Sequence, residues 1–253
     1  MKLIPNLFTL LNLLFGCLAI ISILQNGIVL HYDDEGSQLI AVSENLRLAS
    51  VYIAIAAVID FLDGFVARVL GATSELGKQL DSLADVVSFG VAPSMILYQF
   101  LRMSWVAEED GINVSMLWLV PALLLAMAAA YRLGKFNIDE NQKFGFRGMP
   151  TPAVGLMVAS LPMIYWGESF PGIRALLLNK WVLYGMIFLL SWLMVSNLPM
   201  LAMKFKNFSM KSNLPRYILF ITGIVSILLL GWLAVPVIFL AYIILSLGFK
   251  NYS

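Results

Sequence analysis

The chain has 253 residues, of which 60% are hydrophobic and 12% charged, with a mean hydropathy of +0.87. Soluble domains carry about 25% charged residues, so this composition excludes a water-soluble globular protein and indicates several membrane spans. A net charge of +1 excludes a basic domain for nucleic acid, and one cysteine, Cys17, with one histidine, His31, excludes an internal disulfide and a Cys/His zinc set.

A span needs about 20 mainly apolar residues. In chain order, the polar punctuation predicts an all-α integral membrane protein with helices at 8–28, 48–70, 83–104, 114–134, 152–168, 178–199, 216–232 and 234–250. The first apolar run, Leu7 to Leu24, has a one-lysine leader and no small-x-small cleavage site after it, so it reads as a retained helix. The last two helices are separated only by Gly231 and Pro236. Proline kinks a membrane helix as well as ending one, so six or seven spans are the other divisions. With eight helices, both termini share a side that collects 12 of the 16 basic residues, among them Lys2, Lys143, Arg147 and Lys250. Lys and Arg gather in cytoplasmic loops, which makes the termini cytoplasmic. The longest loops run over 29–47 and 135–151.

Four acids remain after the loops are assigned: Asp60, Asp63, Asp81 and Asp85, at the cytoplasmic ends of the second and third helices. Ionisable groups at membrane depth cost roughly 2.5–3.5 kcal/mol at a helix centre, so four together need compensating charge. Asp60 and Asp63 are three residues apart and Asp81 and Asp85 four apart, placing each pair on one helix face, with the short turn Leu70 to Lys78 between them. Oxygen ligands of nominal charge −4 suit two hard divalent cations, Mg²⁺ or Mn²⁺. Two other readings are a buried salt-bridge cluster with Arg68 and Lys78 and a proton or cation relay, as in an ion-coupled carrier.

The spacing carries more than the count. Asp60-Phe-Leu-Asp63-Gly64-Phe-Val-Ala67-Arg68, eight residues, Gly77, three residues, Asp81, three residues and Asp85 fill every place of D-x2-D-G-x2-A-R-x8-G-x3-D-x3-D. This resembles the signature of the CDP-alcohol phosphatidyltransferase family. The resemblance implies a membrane enzyme, a homodimer, that moves a phosphatidyl group from CDP-diacylglycerol to an alcohol and releases CMP. It implies Asp60, Asp63 and Asp81 as the main ligands of two divalent ions, and Asp85 as general base as well as a member of the ligand set. Gly64, Ala67 and Gly77 leave room for a nucleotide to approach the backbone, and Arg68 can fork onto a diphosphate oxygen. The small residues also suit helix packing, and Arg68 suits snorkelling to the interface. The matching core covers about 1–200 of a single membrane domain spanning 1–253, with additional helices at about 214–250.

The N-terminal stretch Ile4-Pro5-Asn6-Leu7-Phe8-Thr9-Leu10-Leu11-Asn12 also resembles the family, which adds Asn6 and Thr9 to the expected CDP-lipid site; the same residues suit a proline-started helix with polar residues at the interface. Thr73, Ser74 and Lys78 read as ordinary loop residues. Tyr131-Arg132-Leu133-Gly134-Lys135-Phe136-Asn137 and Phe144-Gly145-Phe146-Arg147-Gly148-Met149-Pro150 resemble the phosphatidylserine synthase branch, with Gly134, Lys135 and Met149 departing from its R-L-A-R-F-N and F-x-G-L-P patterns. That branch implies L-serine as the acceptor, with Arg132, Lys135, Asn137 and Arg147 expected to bind it. The same bases suit the positive-inside rule or anionic lipid headgroups, and a glycerol 3-phosphate acceptor would also favour them. The run Ala126 to Ala130 suits either an internal helix contact or a dimer face. The expected setting is a bacterial inner membrane, amid membrane lipids, with the active site facing the cytoplasm.

Overall fold

The structure, a computed structural model, describes residues 3–25, 28–32, 38–42, 44–72, 74–106, 114–138, 146–167, 172–201 and 210–249. Lys2 and Lys143 lie outside the described residues, as does Thr73, and so does the side chain of Arg147.

Helix α1 (Leu3–Leu24) starts ahead of its expected span because Pro5 sits in its first turn, where a missing N–H removes no helical bond. Buried Pro5, Thr9, Asn12, Gly16, Ala19 and Ile23 recur at three- and four-residue steps and form one stripe, with buried Ser22 beside its end. Strands β1 (Ile28–Tyr32) and β2 (Gln38–Val42) follow as an antiparallel hairpin with Leu30 opposite Ile40. The sequence reading has a loop there; Ile28, Val29, Ile40 and Val42 favour strand, in runs too short to register as a span. Helix α2 (Asn45–Val69) packs along α1 and buries Ala49, Ile53, Ala56 and Asp63.

After a turn through Gly71, at φ +57, helix α3 (Glu75–Asp85) runs through a π-helical turn at Val86–Val91 into α4 (Ala92–Val106). The column therefore begins before the expected residue 83. Its first turns carry Lys78, Gln79, Asp81 and Ser82, too polar to read as a span yet helical in the structure. Helix α5 (Met116–Leu119) continues through a 3₁₀ turn at Val120–Leu123, which contains Pro121, into α6 (Leu124–Ile138). The two-residue strands β3 (Phe146–Arg147) and β4 (Pro199–Met200) pair across the segment holding α7 (Thr151–Trp166), α8 (Ile173–Leu177) and α9 (Lys180–Val195).

The π turn is the centre of the packing, touched by α1, α6 and α7. A Cβ on Gly90 would lie 2.9 Å from the Ala129 Cβ and 3.7 Å from the Ala126 Cα, so this face of the alanine run makes an internal helix contact.

The C-terminal apolar stretch forms α10 (Met210–Leu230) and α11 (Ala234–Gly248), which pack on one another about Gly231, at φ +53. Pro236 stands in the first turn of α11, where it breaks no ladder bond. Helix α11 docks on α7 and β4: the Tyr242 hydroxyl donates to the Leu201 carbonyl at 3.0 Å, and the Leu201 N–H donates to Ser246 Oγ at 3.0 Å. Five helical stretches among the described residues are long and apolar enough to cross a membrane: Ile4–Leu24, Asn45–Val69, Glu75–Val106, Met116–Ile138 and Asn213–Gly248. Helices α7 and α9 are apolar but shorter, at 16 residues or about 24 Å each.

Candidate active site and metal centre

The last turns of α2 and the second half of α3 meet at the expected carboxylates. One oxygen from each of Asp60, Asp63 and Asp81 lies within 4.8 Å of the other two. Asp85, one turn further along α3, is in side-chain contact with Asp60. Asp63 and Asp85 are buried, whereas Asp60 and Asp81 are half-buried. No ion pair joins Arg68 or Lys78 to any of the four, so the salt-bridge reading finds no support among the described residues. Buried Asp81 Oδ1 has no hydrogen-bond partner. An all-oxygen set at this spacing, with an acceptor that the protein leaves unfilled, fits a hard divalent cation.

Helix α1 supports the cluster from behind. The Thr9 hydroxyl lies 2.8 Å from Asp63 Oδ2 and 3.2 Å from the Pro5 carbonyl and can donate to either. Asn12 Nδ2 donates to Asp85 Oδ1 at 3.3 Å. The sequence reading assigned Thr9 to the CDP-lipid and gave Asn12 no role of its own. The signal for both was their three-residue spacing, which sets two polar side chains on the buried stripe of α1.

A cavity of about 200 Å³ opens beside the aspartates, lined by Asn6, Thr9, Asp63, Gly64, Ala67, Gly77 and Asp81 with Pro5, Ala72, Ser74 and Lys78. Five of the six expected CDP-lipid residues line it. The sixth, Arg68, is exposed at the end of α2 and stands outside the wall. Gly64 has no atom within 4 Å of where its Cβ would be, while a Cβ on Gly77 would come within 3.0 Å of Asn6 Oδ1. Ser74 and Lys78, read as loop residues, belong to the first turn of α3. Ser74 is its N-cap, accepting from the Gly77 N–H at 3.0 Å. The cavity therefore meets a helix N-terminus with a lysine on it, a setting that favours phosphate oxygens.

The expected serine residues divide. Arg132 donates to Thr151 Oγ1 at 3.3 Å and to the Gly148 carbonyl at 3.5 Å, and its buried Nε has no partner. It is close enough to Asp85 for their charges to interact. Exposed Lys135 donates to Asn197 Oδ1 at 3.1 Å. Asn137 donates to Ser82 Oγ at 2.9 Å, and its carbonyl accepts from Lys78 Nζ at 3.4 Å, tying the end of α6 to α3. Arg132 and Lys135 share a narrow cleft with Tyr131, Phe136, Ser196 and Asn197. The Arg147 backbone stands in β3, next to Gly148.

Fold and site together define a helical integral membrane protein with a carboxylate cluster fitted to divalent metal. The profile of the CDP-alcohol phosphatidyltransferase family matches residues 2–197, and the chain belongs to that family. Helices α10 and α11 lie beyond the matched segment. Among curated relatives, a Helicobacter pylori (strain J99) protein named CDP-diacylglycerol–serine O-phosphatidyltransferase is 31% identical over 229 residues, covering 86% of this chain and 78% of that one. A Bacillus subtilis protein of the same name is 33% identical over 165 residues, covering 65% of this chain and 78% of its own. A Methanocaldococcus jannaschii protein, again of that name, is 36% identical over 129 residues, covering 51% of this chain and 56% of its own.

Proposed function

We propose that this protein is a phosphotransferase that moves the phosphatidyl group of CDP-diacylglycerol to the hydroxyl of L-serine, yielding phosphatidylserine and CMP. The observation that carries the reading is the convergence of Asp60, Asp63 and Asp81 beside a cavity walled by the glycines and alanine of the same motif. The choice of serine is supported by the names of the relatives and by the electrostatic interaction of Arg132 with Asp85.

Asp60, Asp63, Asp81 and Asp85 would hold two divalent cations, Mg²⁺ or Mn²⁺, which offset charge on the diphosphate when bound. The cavity wall at Gly64, Ala67 and Gly77 admits the nucleotide close to backbone, with Asn6 on its rim and Thr9 orienting Asp63. Lys78 and the α3 N-terminus attract the diphosphate oxygens. Asp85 accepts the serine hydroxyl proton as the serine oxygen bonds to phosphorus and the bond from phosphorus to the CMP oxygen breaks. Arg132 offers the serine carboxylate a guanidinium fork, with Lys135 and Arg147 adding positive charge and Asn137 holding α6 against α3. The finer architecture belongs to the same proposal: a single membrane domain with eight spans, cytoplasmic termini and active site, acting as a homodimer in a bacterial inner membrane.

The test is CMP release from CDP-diacylglycerol by the purified protein with Mn²⁺ or Mg²⁺, offering serine, glycerol 3-phosphate and inositol separately. Serine-dependent release that stops in excess chelator is expected. Release only with another alcohol overturns the acceptor, release undiminished by chelator overturns the metal, and no release with any alcohol overturns the transferase reading.

A further inference from the structure

A carboxylate that takes a proton must be aimed as well as present. Asp85 ends α3, and Asn12 Nδ2 donates to one of its oxygens. Asn12 is 0% exposed, and its own Oδ1 has no hydrogen-bond partner. An unsatisfied buried amide oxygen is destabilising, and the same stripe of α1 is filled by Ala19 and Ile23 where only packing is needed. Packing alone therefore does not account for an asparagine here.

The backbone that carries this amide is also held in place. Ser88 Oγ donates to the Asn12 main-chain carbonyl at 3.1 Å, and Ser88 belongs to the π turn that begins directly after Asp85. A Cβ on Gly16, one helical turn beyond Asn12, would fall 2.9 Å from the Ser88 Cα, so α1 and the π turn meet at backbone distance beside the pair. Such turns inside helices are frequent at functional sites. This one turns Ser88 toward α1 while Asp85 faces Asn12.

We infer that Asn12 is a positioning residue for Asp85, orienting the carboxylate through its hydrogen bond to Oδ1 so that it faces the acceptor's hydroxyl. The inference rests on the reading of Asp85 as general base. Asn12→Leu keeps a similar side-chain volume and removes the amide, so packing and positioning part company in one variant. In the CMP-release assay its kcat is expected to fall about 10- to 100-fold. Its KM for CDP-diacylglycerol should stay within about twofold, with an unfolding temperature no lower than that of the unaltered protein. Unchanged kcat overturns the inference, as does a fall in kcat that comes with lost CDP-diacylglycerol binding or a lowered unfolding temperature. Should Asn12→Leu fail to fold, Asn12→Ala is read for the same split between kcat and KM. Asp85→Asn is assayed alongside. If it is inactive but still binds CDP-diacylglycerol while Asn12→Leu turns over normally, the positioning role alone falls. If it turns over, the base reading falls and takes this inference with it.

Discussion

Two charged clusters stand close together in this molecule, and the protein treats them differently. The acidic one, at the junction of α2 and α3, makes no ion pair with Arg68 or Lys78; Thr9 can donate to Asp63, Asn12 donates to Asp85, and Asp81 Oδ1 has no hydrogen-bond partner. The basic one, at the end of α6, is already engaged: Arg132 with Thr151 and Gly148, Lys135 with Asn197. Buried like charges that the fold declines to neutralise call for an external cation, whereas bases that already have protein acceptors can be structural. The comparison makes the acids the firmer part of the site and ranks the bases by how many donor positions they have left.

Asp81→Asn should break the acidic cluster outright, since it removes charge from the ligand whose oxygen the protein leaves unfilled. A loss of roughly 10³-fold or more in CMP release is expected, with helical content by circular dichroism unchanged. Thr9→Val keeps shape and removes the donor to Asp63. It should lower activity by about 10- to 100-fold and raise the Mn²⁺ concentration needed for half-maximal rate. On the basic side, Arg132→Lys keeps the charge but loses the fork. An increase of about tenfold in the serine KM, with the CDP-diacylglycerol KM unchanged, would assign the guanidinium to serine. Equal loss in both would make it a clamp on Gly148 and Thr151. Lys135→Ala should have the smallest effect, within about threefold in kcat/KM for serine, because an exposed lysine with a single neutral partner contributes little.

The acidic cluster was legible from spacing alone, because carboxylates at three- and four-residue steps must share a helix face and the turn between Val69 and Glu75 is short. The cavity wall was legible at Gly64, Ala67 and Gly77 from the motif they fill and from their small size. What spacing could not supply was orientation. Arg68 follows Ala67 directly, and a one-residue step rotates it by about 100° around α2, out of the cavity. Lys78 takes the place beside the cavity that the sequence reading gave to Arg68. The π turn was invisible because Val86 to Val91, apart from Ser88, is apolar or glycine and fits either helical pitch. The β1–β2 hairpin fell below the length at which hydropathy separates a strand from a loop. The serine side was read from charge, which says where a base lies but not whether Asn197 or Thr151 has already claimed its protons.

The most direct test of the carboxylate cluster as a metal centre is Mn²⁺ binding followed by electron paramagnetic resonance on the purified protein with CDP-diacylglycerol present. Two Mn²⁺ bound per chain, falling when Asp60, Asp63 or Asp81 is changed to Asn and unaffected by Lys135→Ala, is the result expected. Binding that survives loss of all three aspartates, or no binding in a protein that still releases CMP, would contradict it.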